Sequence, residues 1–153
     1  MSLVRSPVLS PVRSVVSAVT GGSGPAYGPE LVVNGTFDTD LTGWANTAVN
    51  LTPTWVSGEA QLSRSGGISP NDCFGQTVTV EIGAQYEIKV SASASTAAWQ
   101  VRDGTQSLVS AQGLNAGENT VTVTPAGANM ILNFWVSNGQ TADIDNISVR
   151  KVL

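Results

Sequence analysis

From Tyr27 onward, apolar and polar residues alternate in short runs, and the alternation sorts them into two faces. Val78, Val80 and Ile82 oppose Thr77, Thr79 and Glu81, and after Gly83-Ala84 the residues Tyr86, Ile88, Val90 and Ala92 oppose Glu87, Lys89, Ser91 and Ser93. A period of two is that of a half-buried strand. Val121 and Val123 alternate with Thr120, Thr122 and Thr124, and Met130, Leu132, Phe134 and Val136 share one face. Ile131, Asn133, Trp135 and Ser137 take the other, which points Trp135 outward. Read this way the chain predicts strands at 30–33, 47–51, 54–56, 59–63, 74–82, 85–94, 97–103, 106–111, 118–124, 129–137 and 143–151. Turn residues separate them and no helical period intervenes. The expected class is all-β, a two-sheet antiparallel β-sandwich.

Two stretches frame this pattern. Leu31-Val32-Val33-Asn34-Gly35-Thr36-Phe37-Asp38 leads through Asp40 to Gly43-Trp44, and Asp143-Ile144-Asp145-Asn146-Ile147-Ser148-Val149 closes the chain. The first combines an apolar run, an Asn-Gly turn and an aromatic, and the second is a strand that begins with carboxylates. Side by side, they would close one apolar core with the start and end of the domain.

The first residues follow another rule. Val4, Val8, Val12 and Val16 recur every fourth position, Ser6, Ser10 and Ser14 keep the same spacing, and Arg5, Pro7, Pro11 and Arg13 complete a degenerate Val-Arg-Ser-Pro repeat. Pro7 and Pro11 lack backbone donors and force extended conformations on Ser6 and Ser10, so residues 1–20 read as an extended arm and not a helix. Such an arm can add to an open sheet edge of a partner through Val4, Arg5, Pro7, Val8, Pro11, Val12, Arg13 and Val16, or remain a solvated tail. Residues 21–28 are a Gly-rich hinge and 29–153 the sandwich domain. The apolar stretch Val15–Val19 is broken by Ser17 and falls short of the about 7 to 15 residues of a signal peptide, so none is expected. No segment reaches membrane-spanning length, so no membrane insertion is expected.

Composition narrows the chemistry. Of 153 residues only 12% are charged, the net charge is -4 and the few basic residues are scattered, so no nucleic-acid footprint is present. There is no His, which removes Ser-His-Asp and Cys-His nucleophiles and His-containing zinc sites. Cys73 is the only cysteine and reads as a small packed side chain. The acids are scattered outside any catalytic motif, so no enzymatic activity is expected.

The opening stretch with Gly43-Trp44, the closing Asp143–Val149, and the Gln76 to Val90 section with its Gly83-Ala84-Gln85-Tyr86 turn resemble the signatures of the jelly-roll carbohydrate-binding modules and related domains of phage structural proteins. The resemblance covers residues 29–153 and implies a jelly roll. It also implies a structural calcium ion at positions matching Asp38 and Asp145; alternatively Asp145 caps a turn, with a β-bulge before Asn146. Glycan binding would use Trp135 with Asn133, and next Trp99 with Gln100 and Arg102, although Trp99 shares the parity of Val101 and so also fits the core. Trp44 and Trp55 suit the sandwich ends. The arm is similar to N-terminal segments of small phage virion proteins. The function expected first is therefore a non-enzymatic virion structural protein, a capsid decoration, head fibre or tail component. It would be anchored by its arm to other virion proteins, would form homo-oligomers and would display a domain for host-surface glycans. The alternative is a carbohydrate-binding module for an extracellular polysaccharide.

Overall fold

The computed structural model describes residues 24–67 and 73–153. The strands are β1 (Tyr27–Glu30), β2 (Ala45–Asn46), β3 (Leu51–Val56), β4 (Glu59–Arg64), β5 (Phe74–Thr79), β6 (Tyr86–Ala92), β7 (Ala97–Arg102), β8 (Ser107–Gly113), β9 (Gly117–Val123), β10 (Asn129–Val136) and β11 (Thr141–Val152). One sheet has the order β3-β4-β11-β6-β9, with β1 also on β11, and the other has the order β2-β5-β10-β7-β8. All pairings are antiparallel. β11 inserts between β4 and β6, and β10 between β5 and β7, so apart from the hairpins β3-β4 and β7-β8 neighbours in each sheet are distant in sequence. The two sheets form a jelly-roll sandwich.

Alternation becomes burial as expected. Met130, Leu132, Phe134 and Val136 of β10, Ile88 and Val90 of β6, and Leu62 and Ile144 of the same sheet as β6 are fully buried in one core. Apolar side chains on the facing sides of two sheets leave water together, and this burial is the main term holding them. Aromatic rings fill one end. Trp44 stacks on Phe74 with centroids 5.3 Å apart, and lies 5.3 Å from Phe37 and 6.0 Å from Phe134. Trp55 is 41% exposed, and its indole N–H donates to the Phe37 carbonyl.

Several boundaries differ from the pattern-based ones. Segments 47–51 and 54–56 give way to one strand, β3, which accommodates Pro53 because it lies at a sheet edge. β5 stops at Thr79, and Ile82 is 61% exposed despite its parity. β1 begins at Tyr27, within the stretch read as hinge, and ends where the strand 30–33 was expected to start. Leu31 to Phe37 instead runs as irregular backbone beside β11 and fills the gap there between β1 and β4. The Leu31 N–H donates to the Val149 carbonyl and the Ile147 N–H to the Gly35 carbonyl. Left-handed φ values at Asn34 (51°) and Phe37 (46°) break the strand. Gly35 is required by contact, since a Cβ there would sit 2.0 Å from the Ile147 carbonyl oxygen.

β11 carries a bulge at the same place. The pairing with β6 shifts between Asp145 and Ser148, and Asn146 has φ of 50°. Ile144 and Ile147 both reach the core as a result, and Asp145 joins Asp143 on the side away from it. An unbroken strand would have turned Asp145 inward with Ile147 and Val149. The arm residues Val4, Arg5, Pro7, Val8, Pro11, Val12, Arg13 and Val16 lie outside the described residues.

Candidate functional site

The outer side of the β2-β5-β10-β7-β8 sheet is assembled by register. Thr77, Ile131, Arg102 and Ser107 form one row across β5, β10, β7 and β8. Ala45, Gly75, Asn133 and Gln100 form the next, and Trp135, Ala98 and Gly113 the third. Trp135 is partly exposed and partly packed against the core. Gly75 keeps the second row low: a Cβ there would lie 2.3 Å from the Leu132 carbonyl oxygen and 2.9 Å from Asn133 Oδ1. The result is a shallow groove of about 230 Å³ lined by Ala45, Thr47, Cys73, Gly75, Ile131 and Asn133, among others. It is smaller than the about 300–1,000 Å³ of an enclosing small-molecule site, which suits a ligand that lies along the sheet. The Cys73 thiol donates to Asn133 Oδ1 and its sulfur is 3.4 Å from Thr47 Oγ1, so the amide is held in place from below.

A second constellation sits in the other sheet, where the 31–38 segment crosses β11. Asp145 Oδ2 accepts from the Asn146 side-chain amide, whereas its Oδ1 is buried with no hydrogen-bond partner. Burial raises the Asp145 pKa above its ordinary value, and the nearby Asp38 carboxylate raises it further against a hydrogen bond from Asn146. A carboxylate held beside another, with one oxygen orphaned, is the arrangement a hard cation relieves. No group of three or more His, Cys, Asp or Glu side chains suited to a metal is present among the described residues. A calcium ion would therefore need backbone carbonyls and water beside Asp38 and Asp145. The Asn34, Gly35 and Phe37 carbonyls already accept from Trp44 Nε1, the Ile147 N–H and Trp55 Nε1, and each keeps a second lone pair.

Two other acids serve the fold. Asp103 is buried and accepts at Oδ1 from the Thr105 and Gln106 N–H groups and the Thr105 hydroxyl, and at Oδ2 from the Ala126 and Gly127 N–H groups. Burial alone would raise its pKa, but these donors outweigh it and hold the carboxyl well below the usual range. Glu30 likewise ties β1 to β11, accepting from the Val149 N–H, the Ser148 hydroxyl and Arg150. Burial raises its pKa and the hydrogen bonds, Ser148 first, bring it below the ordinary value. Alternation gave no hint of the Asp103 clamp, because the β9–β10 loop that it grips is remote in sequence.

No protein-family model matches the sequence, and no curated protein sequence matches it. Solved structures do match. The second N-terminal cellulose-binding domain of Cellulomonas fimi β-1,4-glucanase C superposes with a TM-score of 0.59 at 15% identity, covering 81% of this chain and 95% of that one. The CBM22-1 xylan-binding domain of Paenibacillus barcinonensis Xyn10C gives 0.53 at 15% identity, over 84% and 96%. The enzymatically active domain of bacteriophage CBA120 tailspike protein 4 gives 0.61 at 18% identity, over 80% of this chain and 21% of the tailspike chain. The fold is the jelly roll of the carbohydrate-binding modules.

Within this carbohydrate-binding-module fold, the residues expected to bind glycan divide. Trp135, Asn133 and Arg102 lie on one outer face, together with Gln100. Trp99 does not: it is 3% exposed, turned inward with Val101 and stacked on Phe134 at 6.4 Å. Its indole belongs to the core, with its remaining surface at a pocket lined by Gln112, Asn115 and Asn119, so it does not share the outer face with Trp135. Sequence alone did not single out Thr77, Ile131 or Thr47, whose places on this face depend on which strands adjoin.

Proposed function

We propose that the domain is a non-catalytic glycan-binding module that uses the outer face of the β2-β5-β10-β7-β8 sheet. The observation that carries this is the partly exposed Trp135 beside Asn133 and Gln100 on an open sheet face. An indole offers an apolar surface to the C–H face of a sugar ring, and flanking amides supply both donors and acceptors for its hydroxyls. The strands of this face contain no Asp or Glu, so they hold no carboxylate pair for glycoside hydrolysis. A glycan array followed by titration tests the proposal. Binding that Trp135→Ala weakens about tenfold supports it, and failure of the intact protein to bind any glycan at millimolar concentration refutes it.

We further propose that the module is displayed on a phage particle for host attachment, as a head or tail component held to other virion proteins through residues 1–20 and present in several copies. The support is the Val-Arg-Ser-Pro repeat of that segment and the likeness to part of a phage tailspike chain. Removing residues 1–22 is expected to leave a folded, glycan-binding domain that no longer enters particles; normal incorporation would refute the display role.

A structural calcium ion at Asp38 and Asp145 belongs to this proposal. The orphaned Asp145 Oδ1 and the repulsion between the two carboxylates support it. The ion would supply positive charge that neutralises both acids. Asp38 comes from the opening segment and Asp145 from the last strand, so holding the ion would tie the two ends of the domain together.

A further inference from the structure

The charges of the sandwich are divided unequally between its sheets. β1, β4, β6, β9 and β11 carry Glu30, Glu59, Glu87, Glu118, Asp143 and Asp145, and their bases are committed. Lys89 faces Glu87 and Glu118, Arg150 pairs with Glu30, and Lys151 pairs with Glu81. Arg64 is buried, donating from Nε to the Val136 carbonyl and from Nη1 to the Gly67 carbonyl. In β2, β5, β7, β8 and β10 there is no acid, and Arg102 is the one charged residue.

Arg102 is exposed on the outer face, between Ile131 of β10 and Ser107 of β8, with Thr77 beyond Ile131. Among the described residues it is the basic side chain with neither an ion pair nor a hydrogen bond. The next residue, Asp103, makes no ion pair with it, because that carboxylate is buried and its oxygens accept from backbone and hydroxyl donors of two loops. An isolated guanidinium on a net-acidic protein, in a sheet whose strands hold no carboxylate, has its five donors free for a planar oxyanion. Arg102 is thus the one full charge that the strands of this face contribute, and it is positive.

Resting on the glycan-binding role proposed above, we infer that this face selects acidic glycans, with Arg102 binding the carboxylate or sulfate oxygens of a charged sugar. Asn133 and Gln100 lie one row away and address the hydroxyls of the adjoining residue in the chain, and Trp135 stacks on the sugar beyond. A neutral polysaccharide would satisfy the amides and the indole but leave Arg102 solvated. The acidic group therefore contributes selectivity as well as affinity.

The test is binding of the full chain and of R102Q and R102K to an array spanning neutral glycans, uronate-containing glycans and sulfated glycans, repeated at 20 and 500 mM NaCl. Melting curves check that the variants fold, which an exposed position should allow. The expected result is that acidic members bind at least about tenfold more tightly than neutral ones of the same length, and that the preference shrinks in high salt. R102Q should abolish the preference, and R102K should retain part of it through charge without the bidentate geometry. Uronates bound in preference to sulfates would identify a carboxylate as the ligand, and the reverse order a sulfate. Binding restricted to neutral glycans, or an acidic preference that R102Q leaves intact, would overturn the inference while the glycan-binding role stands. No binding to any member would overturn that role and this inference with it.

Discussion

Calcium addition and removal give the sharpest test of how the opening segment is joined to β11. The perturbation pairs chelator with Asp145→Asn, which keeps the shape of the side chain and removes its charge. Asp145 Oδ1 is buried without a partner and the nearby Asp38 charge opposes ionisation, so without metal the carboxylate is a net cost to the fold. An ion that binds only the folded state contributes RT ln(1 + [Ca]/Kd), about 2.7 kcal/mol at a hundredfold excess over Kd. For a domain of this size, each kcal/mol moves the melting temperature by roughly 4 °C, so saturating calcium should raise it by about 10 °C. Differential scanning calorimetry of both proteins, each in calcium and in chelator, should give a crossing order. Wild type in calcium should be the most stable, the variant should be indifferent to calcium, and in chelator the variant should equal or exceed wild type. Identical wild-type melts with and without calcium would refute the metal assignment, and so would a variant that still gains stability from calcium.

Other outcomes follow from the packing. Trp99→Ala should cost about 3–5 kcal/mol in urea unfolding, as expected for a large buried aromatic, whereas Trp135→Ala, at a partly exposed position, should cost less and act on glycan binding as well; a larger stability loss at Trp135 than at Trp99 would contradict their placement on opposite sides of the sheet. Gly35→Ala should cost about 3 kcal/mol, because its Cβ would meet the Ile147 carbonyl at 2.0 Å, and a wild-type urea midpoint would disprove that approach. The Asp103 carboxyl has a folded pKa below its ordinary 3.8, so its stabilisation is fully present above that value and is lost as pH falls through the folded one. Asp103→Asn should therefore lie well below wild type in melting temperature at pH 7 and approach it under strong acid, and a gap independent of pH would show that the charge is not what matters.

The inside and outside of the strands were legible because the pleat turns every second side chain to the same side. That rule placed Met130, Leu132, Phe134 and Val136 in the core and Trp135 opposite them with no further information. It failed where the backbone departs from the pleat. Left-handed residues at Asn34, Phe37 and Asn146 shift the register, and the bulge at Asn146 sends Asp145 to the side that parity denied it. It also failed where a strand ends early, as at Ile82, which keeps its parity beyond the last β5 pairing but has no sheet to cover it.

Local pattern was enough to establish an all-β chain, the faces of its regular strands and the identity of its two framing stretches, since all of these depend on neighbours within a few residues. The three-dimensional arrangement was needed to show that Asp103 clamps a loop more than twenty positions away, and that the acid-free strands β2, β5, β7, β8 and β10 lie in one sheet around Arg102. Jelly-roll connectivity is the cause. Apart from the hairpins β3-β4 and β7-β8, each sheet joins strands far apart in the chain, so the charge of a face sums segments whose adjacency no local pattern records, and it is set by which arrangement buries the apolar sides of all the strands at once.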